Sequence, residues 1–335
     1  MATSLPQYMR AAQFSTNPIE KNLKVNPKAP LPKTAHALRK DTTLVKVAYS
    51  SLNPVDYKVL ESPAGYILGG TPAVDIAGVV VDSKLPHVKA GDRVYGMTAI
   101  PSFGALAEYA VVPKDGLALA PEGVKLEDLA TLGVTGLTAW QTLSPFIKSG
   151  DKVLINGGSG GVGTFAIQIA KALGAHVTTT CSGGNVELCK SLGADEVIDY
   201  RATDLVPHLK QSGVQFDHIF DSVFYNFDLY WQAHHYLKKN AKFVTIAGEF
   251  RFDFVKTMLA IYLLPSFLGG GQRQFQFVTA TANAPEYEKL GALIKEGKIK
   301  PVIESVLDLD EAGKGYAKLK TGRTRGKIVV KVAGE

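Results

Sequence analysis

The sequence predicts an α/β protein in which an irregular β domain accompanies a doubly wound parallel sheet. Three observations predict it. Segments 43 to 50, 76 to 82 and 107 to 112 are rich in β-branched and apolar residues and separated by Gly and Pro turn signals. From about residue 127 the texture changes to strands alternating with helices. A glycine run, Gly158 to Gly163, stands between one such strand and its helix.

Taken in order, the first strand-like segment is Met9 to Phe14, and the three short segments above follow it. The alternating region then reads as a strand at Lys152 to Asn156, a helix to Leu173, a strand at His176 to Thr180, a helix from Val186 and a strand at Glu196 to Asp199. Further strands fit Asp217 to Asp221 and Lys242 to Ala247. After residue 275 come a strand at Gln276 to Thr279, a helix through Lys295 and a closing strand at Gly326 to Val332.

The 335 residues, 46% of them hydrophobic, suit two domains that each bury a core. No run reaches the ~18 apolar residues of a membrane span, because Thr257 to Gln272 is interrupted by Pro265 and several glycines. Few residues precede Met9, so the expectation is a chain without a signal peptide and with a cytoplasmic location. Cys181 and Cys189 form neither a disulfide framework nor a four-cysteine zinc site, and read as packing thiols. The net charge of +6 suits an anionic ligand, but the basic residues are scattered, which argues against nucleic acid as a partner. The seven histidines show no metal-ligand spacing, no metal is expected, and no G-x-S-x-G elbow suggests hydrolysis.

Gly158-Ser159-Gly160-Gly161-Val162-Gly163 is a G-x-G-x-x-G after the strand Val153-Leu154-Ile155. Val162, Phe165, Ala166, Ile169, Ala170 and Leu173 recur at helical spacing, so the following helix packs one face on the sheet and turns its N-terminal N–H groups to the loop. A pyrophosphate fits there, because glycine lets backbone approach phosphate oxygens. NAD-preferring folds carry Asp or Glu at the end of the second strand, about 20 residues on. Here that strand ends Thr180-Cys181-Ser182-Gly183-Gly184-Asn185, and no acid occurs from Lys152 to Val186. The expectation is NADPH, with Ser182 and Asn185 donating to a 2′-phosphate, Lys190 or Arg201 adding charge and Tyr200 lying against the adenine. Ser182 and Asn185 are equally readable as turn formers.

Five segments, Leu52-Asn53-Pro54-Val55-Asp56, Ala90-Gly91-Asp92-Arg93-Val94, Ala107-Glu108-Tyr109, Gly136-Leu137-Thr138-Ala139 and Ser191-Leu192-Gly193-Ala194-Asp195, carry a resemblance that covers nearly the whole chain. The sequence resembles the zinc-independent medium-chain dehydrogenase/reductases of the quinone oxidoreductase branch, and within it the chloroplast envelope quinone oxidoreductase homologues and reticulon-interacting oxidoreductases. The resemblance implies a GroES-like catalytic domain over 1–126 and 275–335, with an inserted Rossmann NADPH-binding domain over 127–274. Zinc-dependent relatives hold their metal with a cysteine and a His-Glu pair; Asn53 and Val74-Asp75 stand near those places, and cannot build that site.

Without a Lewis acid, the expected chemistry is direct hydride transfer to a conjugated acceptor, an apolar enone or quinone. The resemblance puts the loop from Asn53 to Tyr66 beside the nicotinamide. Asn53 would hydrogen-bond substrate or ribose, Asp56 would hold the loop in shape, and Tyr57 or Tyr66 would donate the proton. Asn53-Pro54 is also readable as a turn, and both tyrosines as packing residues. Thr135 and Thr138 are either cofactor contacts or helix packing. Ser222, Val223, Ala247 and Gly248 follow strands at their carboxyl ends, where open α/β sheets bind ligands. Arg323 or Arg325 either reaches the cofactor phosphate or is solvated.

The apolar segment 250–268 reads as a subunit interface, a substrate roof or a peripheral lipid contact, in a monomer or homodimer. Two alternatives accompany the main reading: an enoyl-thioester reductase of fatty acid or polyketide assembly, and an NADPH-binding sensor or scaffold with little turnover.

Overall fold

The computed structural model describes residues 5–62, 70–100, 102–246, 248 and 252–334. The chain divides into two compact units, Met1–Leu137 with Thr281–Glu335, and Thr138–Ala280. In the first, β1 (Tyr8–Gln13) and β2 (Lys24–Pro30) form an antiparallel pair, with the short helix α1 (Ile19–Asn22) between them. Then come β3 (Thr42–Ser51), α2 (Pro54–Leu60), β4 (Asp75–Ser83), β5 (Arg93–Met97), β6 (Tyr109–Pro113), β7 (Leu117–Leu119) and α3 (Leu126–Leu129).

The second unit contains α4 (Leu137–Leu143), β8 (Lys152–Asn156), α5 (Gly161–Ala172), β9 (His176–Cys181), α6 (Val186–Ser191), β10 (Glu196–Asp199) and α7 (Leu205–Gln211). It continues with β11 (Phe216–Asp221), α8 (Asp228–Trp231), β12 (Leu237–Thr245), α9 (Phe252–Leu263) and β13 (Gln274–Phe277). The chain returns to the first unit through α10 (Ala284–Lys295), β14 (Ile303–Asp308), α11 (Ala312–Lys320) and β15 (Lys327–Lys331).

The first unit is built on a sheet of order β14-β15-β3-β4-β5-β7, with β6 paired to β3. Leu44, Val45, Val47, Ile76, Ala77 and Val94 are fully buried, and their transfer from water is the main stabilising term. The second unit has six parallel strands in the order β10-β9-β8-β11-β12-β13. This is the dinucleotide-binding order, and it reverses between β8 and β11, where such sheets take their ligands. The division into units falls at 137/138 and 280/281, and β13 completes the parallel sheet of the second unit by pairing with β12.

His218, fully buried in β11, shares a hydrogen bond of 2.9 Å between Nε2 and Thr142 O, and its ring stacks on Phe146. Burial lowers its pKa to about 4 from the usual 6.5. Between those values the unfolded chain takes up a proton that the folded chain refuses, so stability falls as pH falls, by about 3 kcal/mol in all. Urea titrations at pH 7 and pH 4.5 should show a smaller acid loss for His218→Gln than for the wild type. An equal loss would remove His218 from the acid response.

In α9, Phe254, Met258 and Ile261 pack on the core of the parallel sheet. The other face exposes Val255, Leu259, Tyr262 and Leu263, and Phe267 beyond it is 83% exposed. Among the described residues no helix is long and apolar enough to cross a membrane.

Candidate functional site: a dinucleotide platform and a buried polar hub

At the end of β8 the chain turns through Gly157, whose φ of 94° lies in the left-handed region. A Cβ at Gly158 would come within 2.2 Å of Thr179 Oγ1, and one at Gly163 within 2.1 Å of Gly157 O. Both positions require glycine for loop, strand and helix to touch. Gly160 differs, since its Cβ would meet nothing nearer than Gly157 O at 3.7 Å. Its bare face opens at the N-terminus of α5, beside Gly161 and Val162, where backbone N–H groups and the helix dipole favour an anion.

Ser159, Ser182 and Asn185 converge beside this loop, with Asn185 Nδ2 donating to Ser182 Oγ at 3.1 Å and to Ser159 Oγ at 3.3 Å. Ser159 on the glycine loop and Ser182 and Asn185 after β9 thus form one cluster of small polar side chains. Tyr200 is joined to the same strand end through its N–H to Cys181 O, and its ring is half exposed. One carboxylate comes near: a Cβ at Gly183 would lie 2.6 Å from Asp199 Oδ2. It arrives from β10, and its Oδ1 accepts the Arg201 N–H.

Ser222 and Val223 lie against the same turn, since a Cβ on Gly157 would strike Ser222 Oγ at 2.5 Å and Val223 Cγ2 at 2.7 Å. The structure thus joins the glycine loop, Ser159, Ser182, Asn185, Tyr200, Ser222 and Val223 at the carboxyl edge of one sheet. Gly248 faces Phe254 and Phe277. Thr138 is buried in α4, Arg325 is exposed ahead of β15 in the first unit, and Ala247 lies outside the described residues.

In the first unit, Asn53 caps α2 and is completely buried. Its Nδ2 donates to Asp75 Oδ2 at 2.8 Å and to Ser51 O at 3.3 Å, and its Oδ1 accepts from Lys327 Nζ at 2.6 Å. Both ends of the amide are therefore occupied within the protein, whereas the expected contact to substrate or ribose asks for an end that faces outward. Asp75 is the centre of this hub. Its Oδ2 also accepts from Ser51 Oγ at 2.7 Å and Lys327 Nζ at 3.3 Å, and its Oδ1 accepts the Val134 N–H at 2.8 Å in a π-helical turn, Leu132–Gly136.

Asp56, equally buried, accepts the Asn53 N–H at 2.9 Å and the Tyr316 O–H at 3.0 Å, which pins the first turn of α2. Burial and the Asp75 carboxylate push its pKa up to about 7, against these two bonds. Burial also lowers the Lys327 ammonium from its usual range, while Asp75 and Asp56 hold it back up. Tyr57 is partly buried with Lys320 Nζ 5.2 Å from its ring centre, and Tyr66 lies outside the described residues.

Lys327 carries much of the hub, and Asn156, Thr180 and Asp221 lie hydrogen-bonded beside the glycine loop; no motif marks them. The available signal was a polar residue ending or opening an otherwise apolar strand, as at Asn156, Asp221 and Lys327.

A dinucleotide platform in one unit and an irregular sheet with a polar hub in the other define a nicotinamide-dependent oxidoreductase. The alcohol dehydrogenase GroES-like domain family matches residues 39–122, and the zinc-binding dehydrogenase family matches residues 192–330. A trans-enoyl reductase, pgmF, of Aspergillus terreus is 42% identical over 99% of this chain and 98% of its own. The chloroplast envelope quinone oxidoreductase homolog of Arabidopsis thaliana is 33% identical over 85% of this chain and 88% of its own. Among solved structures, the quinone oxidoreductase from Coxiella burnetii superposes with a TM-score of 0.82 at 31% identity, covering 97% of this chain and 99% of that one.

The chain belongs to the medium-chain dehydrogenase/reductase superfamily, in its quinone oxidoreductase branch, and is an oxidoreductase. The metal named in one family description does not suit these residues. Near the places of the cysteine and the His-Glu pair stand Asn53 and Val74-Asp75: the valine offers no ligand, and the Asn53 amide and Asp75 carboxylate are already bonded to each other and to the Lys327 ammonium.

Proposed function

We propose that the protein is an NADPH-dependent reductase of α,β-unsaturated carbonyls or quinones, working in the cytoplasm without zinc. The observation that carries this reading is the hub of Asp75, Asn53 and Lys327: an amide and a carboxylate already bonded to a buried ammonium are a donor set unsuited to a zinc Lewis acid. A conjugated acceptor needs none, because its β-carbon is electron-poor already.

When bound, the reduced cofactor supplies the hydride. The loop at Gly158, Gly160, Gly161 and Gly163 holds the diphosphate, with Val162 opening the helix. Ser159, Ser182 and Asn185 bind the ribose 2′-phosphate and Tyr200 flanks the adenine, while Ser222 and Val223 border the nicotinamide end. Asp199 opposes the choice of NADPH, but its position beside exposed Gly183, with one oxygen bonded to the Arg201 N–H, leaves the three-donor cradle unblocked. Asn53 and Asp56 position α2, and Tyr57 or Tyr66 supplies the proton. Cys181 and Cys189 are buried and form no disulfide, which suits a reducing compartment.

The relative named trans-enoyl reductase, matched end to end, favours a second reading in which the acceptor is an enoyl thioester. A panel of quinones, alkenals, enones and enoyl thioesters, followed by NADPH oxidation, separates the two. Turnover of enones or quinones is the expected result, and Tyr66→Phe should slow it. Turnover of thioesters alone promotes the second reading, and no turnover anywhere points to a cofactor-binding sensor.

The exposed apolar row on α9 supports contact with a lipid surface or with a second copy of the chain. Flotation with anionic vesicles reads the first, and sedimentation the second.

A further inference from the structure

We propose that Asp221 is a positioning residue that, through a single carboxylate oxygen, locks the turn at residues 222–224 to the glycine loop and so sets where the nicotinamide end of the dinucleotide lies. The inference rests on the cofactor reading above and deepens it.

Asp221 ends β11 beside Asn156, which ends β8, at the place where the sheet order reverses. Its Oδ1 accepts three hydrogen bonds, from Val223 N–H at 2.8 Å, Phe224 N–H at 2.9 Å and Asn156 Nδ2 at 2.8 Å. The chain of bonds runs on across the sheet. Asn156 Oδ1 accepts from Thr180 Oγ1 at 2.5 Å, and that hydroxyl accepts the Gly157 N–H at 3.0 Å. One polar relay therefore ties the backbone of the glycine loop to the backbone of the 222–224 turn through side chains of three adjacent strands.

The turn needs such a tie. Phe224 has φ of 44°, a left-handed conformation that a bulky side chain rarely adopts, and its ring is buried against Phe227, Phe243, Phe254 and Phe275. The two N–H bonds to Oδ1 hold that conformation, and with it Ser222 and Val223 against Gly157. Ser222 is fastened once more, its Oγ donating to Asn156 O at 2.8 Å, and the Asp221 carbonyl accepts from Thr245 Oγ1 at 2.8 Å.

The other carboxylate oxygen is the informative one. Oδ2 is buried and has no hydrogen-bond partner among the described residues. All the positioning runs through Oδ1, so the negative charge is dispensable, and burial indeed raises the pKa of this carboxyl. An amide places its oxygen at Oδ1 and keeps all three acceptances; a methyl group keeps none.

Asp221→Asn and Asp221→Ala distinguish this role from simple scaffolding, with phenanthrenequinone as acceptor and adenosine 2′,5′-bisphosphate as a ligand for the adenosine half alone. The expected result is that Asp221→Ala loses about 100-fold in kcat, the scale of a misplacement of about 1 Å. Its affinity for the bisphosphate should stay within about twofold of wild type, and Asp221→Asn should recover kcat to within about threefold. Should Asp221→Ala not fold, Asn156→Ala cuts the same relay on the other strand and must lower kcat at least tenfold with bisphosphate binding retained. Unchanged kcat in the folded alanine variant, or parallel loss of bisphosphate binding, overturns the proposal. Failure of the wild type itself to bind NADPH overturns the cofactor reading instead, and is read before any variant.

Discussion

Gly160→Ala is expected to leave the fold intact and to abolish tight cofactor binding, while Gly163→Ala, three residues on, is expected to damage the fold itself. The contrast follows from where each added Cβ would go. At Gly163 it lies 2.1 Å from Gly157 O and 2.7 Å from Gly158 Cα, both backbone atoms that cannot swing aside. Overpacking of that kind costs about 1–3 kcal/mol, and a lowered melting temperature of the cofactor-free protein reads it. At Gly160 the nearest atom is 3.7 Å away, so the cofactor-free protein should melt within about 1 °C of wild type. The methyl then stands where diphosphate oxygens must approach. Losing two charge-assisted N–H bonds is worth about 3 kcal/mol, or about 100-fold in Kd. Equal melting and equal NADPH affinity in Gly160→Ala would mean that no diphosphate lies there.

Lys327→Met should destabilise the protein by about 3–5 kcal/mol, because it strands the fully buried Asp75 carboxylate. Lys327 is the cation paired with this carboxylate; Ser51 and Asn53 at Oδ2 and the Val134 N–H at Oδ1 are neutral donors. Lys327→Met with Asp75→Asn should recover at least half of the cost. Such non-additivity is the signature of a direct pair, and a double-mutant cycle in urea measures it. If the two substitutions simply add, Lys327 is not the partner of Asp75.

Most of the parallel sheet was legible because short strands rich in β-branched and apolar residues alternate with helices. Lys152–Asn156 and Glu196–Asp199 fall where the pattern places them, and α5 starts within the glycine run. The irregular sheet was less legible. β7 has three residues, and β5 starts inside the motif Ala90 to Val94 and runs on to Met97; in the separate β1-β2 pair, β2 carries Pro27 and Pro30. β14 carries polar residues at Glu304 and Ser305 and depends on β15 for its pairing.

At the site, the glycine loop was legible for the same reason that it is rigid: only glycine fits Gly158 and Gly163. The hub was not, because Asn53, Asp75, Tyr316 and Lys327 are far apart in sequence and meet only through the pairing of β15, β3 and β4. The carboxylate of Asp199 near Gly183 was hidden in the same way, because it comes from the neighbouring strand β10 and not from β9.

The proposed ligand is a dinucleotide with a 2′-phosphate, held on the platform formed by Gly158–Gly163, Ser182 and Asn185. Calorimetric titration of the purified protein with NADPH and with NADH tests it most directly. The expected result is saturable binding of NADPH at least tenfold tighter than NADH, the scale of one or two charge-assisted bonds to the phosphate. Tighter binding of NADH, or heat of binding with neither nucleotide, would contradict it.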